Sequence, residues 1–199
     1  MPLTLKSSRR TAVSVAAAVL LLAPVTGCAA DDPPRPSVRT GPSTPRPPES
    51  PRAPAPTRLT VPSLGIDSAL LRLGLNADGT VEVPPASKGM TAGWYAGGAV
   101  PGEPGAAVLI GHNDTRFGKA VFHDLHAIAR GADITVSDGG GAEAHFTVTG
   151  TETVSKSSFP TRKVYGATDE RVLRLITCDG GFDAAGHPVD NLIVYAKLR

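Results

Sequence analysis

From Arg58 onward the chain is a succession of short runs rich in Val, Ile, Leu and Thr, each cut off by Gly, Pro, Asn or Asp. Runs of this length and composition read as strands, because a helix needs a longer stretch at 3.6-residue spacing. Strands are predicted over 58–61, 69–75, 106–110, 134–137, 145–153, 171–177 and 192–198. Asp138-Gly-Gly-Gly141 separates two of them as a hairpin turn, and no helix follows it as a phosphate loop would require. The best helical spacing lies in 120–129, with Val121, Leu125 and Ile128 on one face, and a further helical turn is expected near 164–167. Trp94 and Tyr95 are expected to fill the interior, and Glu103 to mark a surface turn. A chain with so little helix buries its apolar faces by stacking sheets or by closing one sheet on itself. The fold class is therefore mainly β, a closed barrel or a sandwich with one or two short helices.

The segment before this domain is built differently. Lys6 to Arg10 is basic, Thr11 to Pro24 is apolar, and Val25-Thr-Gly-Cys28 follows. That order is the order of a secretory signal, and its apolar part is shorter than the ~18–20 residues of a spanning helix. The last four residues resemble a lipobox, so residues 1–28 are expected to be a lipoprotein-type signal with Cys28 lipidated; a plain cleaved signal or an uncleaved anchor are the alternatives. Residues 29–57 are dominated by proline, have no hydrophobic period and cannot bury enough apolar surface to fold. As an extended spacer, Asp31 to Thr57 would reach on the order of 80 Å at ~3.1 Å per residue. Residues 58–199 leave ~140 for a single domain. The net charge of +2 is too small to imply a nucleic-acid partner.

The chain has two cysteines. Cys178 ends the apolar run Val172 to Thr177 and is followed by Asp179, Gly180 and Gly181; His112 follows the run Ala106 to Ile110 within Gly111-His-Asn-Asp114. A thiol and an imidazole, each at the tip of its own strand, are what a cysteine nucleophile with a proton-handling partner requires. The competing reading of Cys178 is a small buried hydrophobe. A disulfide to Cys28 would tie a flexible tail to the domain and add little to the core. Asp114 could orient His112, or only cap a turn. His123 and His126 have a spacing that suits a metal, but no third ligand accompanies them, so neither a metal nor a cofactor is expected. His187 is placed in an exposed loop.

These strings resemble the sortases, cysteine transpeptidases of Gram-positive surfaces. Leu173-Arg-Leu-Ile-Thr-Cys178 is similar to the family's Thr-Leu-x-Thr-Cys signature, and Gly111-His-Asn-Asp114 to its histidine motif. Phe159-Pro160, Val164-Tyr-Gly166, Cys178-Asp-Gly-Gly-Phe-Asp183 and Asp190-Asn-Leu-Ile-Val-Tyr195 resemble the actinobacterial branch called class F. The resemblance implies a closed eight-stranded barrel at the extracellular face of the plasma membrane. It implies attack by Cys178 on an LPXTG-like sorting signal, proton transfer by His112, and release of the thioacyl intermediate by an amine of a cell-wall precursor or a pilin. One departure stands out. The family's arginine on the strand after the cysteine has no counterpart in 186–194, where Val189 or Asn191 falls in its place. Asn191, Arg174 and Arg116 are the candidates to bind substrate or an oxyanion instead. Two other readings compete: an L,D-transpeptidase, whose histidine would sit beside its cysteine, and a non-catalytic surface lipoprotein that uses a sortase-like barrel for binding.

Overall fold

The computed structural model describes residues 53–186 and 188–199. The expectations for 1–28, for Cys28, for most of the 29–57 linker and for His187 lie outside them.

The strands are β1 (Pro56–Val61), β2 (Ile66–Leu73), β3 (Ala92–Tyr95), β4 (Gly105–Ile110), the short pair β5 (Asp114–Thr115) and β6 (Gly118–Lys119), β7 (Asp133–Asp138), β8 (Glu143–Ser155), β9 (Arg171–Phe182) and β10 (Pro188–Leu198). Among the described residues one α-helix, α1 (Thr161–Tyr165), accompanies them. Eight strands close into a barrel in the order β1-β2-β3-β4-β9-β10-β8-β7. Its pairs are antiparallel except β2 with β3 and β4 with β9.

The β4–β9 pair explains why these two runs are apolar on both faces. Parallel strands in the middle of a sheet are covered on both sides. Ala107 and Leu109 of β4, with Leu173 and Leu175 of β9, point into the barrel and meet Leu59 and Phe146. Val108, Ile110 and Ile176 point outward into a second cluster with Ile193. That outer cluster is capped by α1 through Val164, which is fully buried. A helix of this length does not persist alone, so burying Val164, worth about 1.5–3 kcal/mol, is what holds it.

The mainly β barrel agrees with the sequence reading, and local departures have physical reasons. No α-helix forms over 120–129, where a single 3-10 turn, Leu125–Ala127, is present. Val121, Leu125 and Ile128 are buried as the spacing predicts, but Ala120 and Phe122 are buried too, so the burial is not confined to one helical face. The helical turn expected at 164–167 falls earlier, in α1. Strand β3 escapes the sequence pattern because it is only four residues long. Within it Trp94 joins the interior core, its indole N–H donating to Ala99 O at 3.0 Å. Tyr95, one residue on, faces outward, because neighbours on a strand take opposite faces. The Asp138 turn is as expected: its carboxylate accepts from the Gly140 and Ala142 amides at 2.8 and 2.9 Å. Finally, β9 does not stop at Cys178. It continues to Phe182, paired with the start of β10.

Candidate active site

Register alone brings the histidine and the cysteine together. In the parallel β4–β9 pair, Ile110 lies opposite Ile176, and Gly111 N–H donates to Ile176 O at 3.1 Å. His112 and Cys178 are each two residues past that pair, on the outward face that Ile110 and Ile176 share. Asn113 Nδ2 donates to Cys178 O at 3.2 Å and ties the histidine loop to β9. Residues 120–122, expected as helix, form a strap along the same loop: Phe122 N–H donates to His112 O at 2.9 Å and Ala120 N–H to Asn113 O at 3.0 Å. The strap lies so close that a Cβ on Gly111 would come within 2.6 Å of the Phe122 ring and 2.7 Å of Val121. Glycine is required there for close approach.

Both residues line one cleft of about 740 Å³. Its walls are largely apolar, with Val81, Val83, Ile110, Phe159, Tyr95 and Tyr165 among the lining residues. The segment carrying Val81 and Val83 is shaped by its own bonds. Asn76 N–H donates to Thr80 O at 2.8 Å, and the Glu82 carboxylate accepts from Gly74 N–H at 2.6 Å. It delivers Pro84 O to the His112 ring, 2.6 Å from Nε2. A carbonyl only accepts, so Nε2 carries a proton in this arrangement and Nδ1 remains to exchange one.

Tyr165 meets Tyr95 edge-on, with ring centres 5.8 Å apart. Burial, and then the neighbouring Tyr95, push its pKa up to about 12. It therefore stays a phenol across the working pH range and is no general base. Cys178 is a half-buried free thiol. Lys156 Nζ lies 3.6 Å from its Sγ. Thr177 also lines the cleft; its buried hydroxyl has no hydrogen-bond partner among the described residues.

Of the three candidates for substrate or oxyanion binding, the structure brings only Asn191 into the cleft, directly across from Cys178 on β10. Arg174 shares the outward face but lies four residues back, ~13 Å along the strand. Its guanidinium stacks over the Tyr195 ring at 4.7 Å, and burial pulls its pKa down. Arg116 stacks on Phe117 at 4.8 Å, between β5 and β6, and does not line the cleft. Asp114 does not orient His112; it pairs with His123 Nδ1 at 3.1 Å. His126 is exposed. Sequence reasoning missed Lys156, Tyr165 as a wall, and the segment that reaches His112. The apolar pattern carries no signal for any of them, because each is set by which strands become neighbours.

The sortase domain model matches residues 59–199. Similar solved structures include sortase A from Corynebacterium diphtheriae, with a TM-score of 0.57 at 18% identity, covering 73% of this chain and 61% of that one. Sortase C1 from Streptococcus agalactiae gives 0.57 at 19% identity, covering 72% of this chain and 66% of that one. Sortase C-1 from Actinomyces oris gives 0.56 at 20%, over 72% and 71%. The chain thus spans less than two thirds of the first two structures, and at these identities the likeness is one of fold. No curated protein matches. The family match, running from within β1 through Arg199 over the whole barrel that carries His112 and Cys178, shows that the chain belongs to the sortase family.

Proposed function

We propose that this protein is a cysteine transpeptidase that cleaves an LPXTG-like sorting signal and passes the acyl group to an amine of a cell-wall precursor or a pilin. The observation that carries the reading is the in-register placement of His112 and Cys178 two residues past the last pair of the parallel β4–β9 ladder, facing one cleft. The thiol gives its proton to His112 Nδ1, and the sulfur electron pair attacks the scissile carbonyl carbon. As the tetrahedral intermediate collapses, the C–N bond breaks and the leaving amine takes the proton from His112. An incoming amine then attacks the thioester, its proton passes to His112, and the thiolate departs. Covalent catalysis of this kind replaces one hard amide exchange with two easier steps. The apolar cleft walls suit the leucine and proline of such a signal.

The Cys178-to-Asp183 and Asp190-to-Tyr195 strings support placement in class F. Export, with lipid on Cys28 holding the domain at the extracellular face of the membrane, is supported by residues 6–28 and the spacer after them. Loss of fatty-acid label in Cys28→Ser supports that anchoring, and retained label contradicts it.

The test of function is turnover of a quenched LPXTG-type peptide with and without an added amine. An amine-dependent product that Cys178→Ala does not form is the expected result. An amine-independent product from wild type and variant alike overturns the reading.

A further inference from the structure

A sulfur that attacks as a thiolate, and a carbonyl oxygen that takes up charge, both gain from a cation or a charge-assisted donor beside them. Among the described residues lining the cleft there is no carboxylate, and the basic side chains are His112 and Lys156. Asn191 is neutral, and Arg174 and Arg116 lie elsewhere.

The register explains why Lys156 is there. Cys178 lies opposite Asn191, and Asn191 opposite Val154, so the three form a row across β9, β10 and β8. Val154 packs against the outer cluster on the same face as Ile176. Lys156 is two residues further, immediately past the end of β8. That end is fixed from two sides. Thr153 Oγ1 donates to the carboxylate of Asp179, the residue after the thiol, at 2.9 Å; Ser155 Oγ accepts from Ser157 N–H at 3.3 Å. Among the described residues no carboxylate lies within ion-pair distance of Lys156, whereas Lys163 and Lys197 pair with Glu152 and Glu170. Its hydrogen-bond partner is the Cys178 sulfur, 3.6 Å from Nζ.

We propose that Lys156 is the charged donor of this cleft, stabilising negative charge on the Cys178 sulfur and then on the oxyanion two bonds away. The second half of that role rests on the transpeptidase reading; the first half does not. During acylation the sulfur pair forms the S–C bond as the carbonyl π pair moves onto oxygen. A Lys156 N–H donates to that oxygen and keeps its proton, while the proton for the leaving amine comes from His112. An ammonium has three N–H donors, enough to serve both atoms.

The test uses the full chain and two readouts. Alkylation of Cys178 by iodoacetamide near neutral pH, followed by the mass of the Cys178-containing peptide, forms an S–C bond with loss of iodide and needs no sorting peptide. Lys156→Met is expected to slow it about fivefold to tenfold, and Lys156→Arg to restore it to within about twofold. With an LPXTG-type peptide, Lys156→Met is expected to lower kcat by ~10² with KM little changed. Thermal melts show which variants are folded; if Met unfolds the barrel, Lys156→Gln replaces it. A folded Lys156→Met or Lys156→Gln that alkylates and turns over as wild type does overturns the proposal, as does an Arg variant no faster than Met. Slowed alkylation in a protein that processes no peptide would leave the lysine–sulfur contact standing and refute the transpeptidase reading instead.

Discussion

At the scale of single residues, the site depends on positions with no chemistry of their own. Gly111 is one. A side chain there would meet Phe122 and Val121, both buried, and push the strap of 120–122 away from the histidine loop. Overpacking at a rigid contact costs about 1–3 kcal/mol. Gly111→Ala is therefore expected to lower stability to chemical denaturation by that amount and to reduce turnover with it. Unchanged stability would mean that the strap is free to move aside. Cys178 and His112 were legible in the sequence because each follows an apolar run. Lys156 was not. It stands far from Cys178 in the chain, and it reaches the thiol only because β8 and β9 both pair with β10. Arg174 shows the converse: alternation put it on the same face as Cys178, but its distance along the strand and its stacking on Tyr195 keep it out of the cleft.

At the scale of elements, α1 roofs the outer cluster and contributes Tyr165 to the cleft wall, so its attachment matters. Beyond Val164, it is tied down by charge. The Glu152 carboxylate on β8 accepts from Lys163 Nζ of α1 at 2.5 Å and from the Tyr195 hydroxyl of β10 at 2.7 Å. The lysine bond first, and the tyrosine bond second, hold the Glu152 carboxyl below its ordinary pKa of 4.5. A depressed folded pKa means that the charged form is favoured by folding. The stabilisation is thus complete above the ordinary value and is lost as pH falls through the lower folded one. Wild type is expected to outlast Glu152→Gln in urea at about pH 6, with the gap narrowing as pH falls below the ordinary carboxylate value and shrinking in high salt. A gap that does not change with pH would contradict a charge-based tether. The existence of a short helix near here was legible in the sequence, but its boundaries were not. Five residues give too little periodicity to place, and Val164 is held by packing from β4, β9 and β10. The expected helix at 120–129 failed for a related reason: its apolar residues serve a strap buried on more than one side.

At the scale of the whole molecule, the closed barrel was readable as a class from the short, well-punctuated runs. The order of the strands was not, since nothing in the local pattern of β4 or β9 says that they are parallel neighbours. That single pairing is what converts two distant motifs into one site. It places Ile110 against Ile176, carries His112 and Cys178 forward in step, and leaves α1 to cover the outer face behind them. The central claim is that the thiol at the end of this pairing receives the acyl group. The most direct measurement is to mix the full chain with an LPXTG-type peptide in the absence of amine, quench in acid, and locate any adduct by peptide mapping and mass. The account predicts an acyl mass on Cys178, hydroxylamine-labile as a thioester is, cleared by added amine and absent when Cys178 is first alkylated. An amine-cleared acyl adduct at another residue, or amine-dependent turnover that survives alkylation of Cys178, would contradict it.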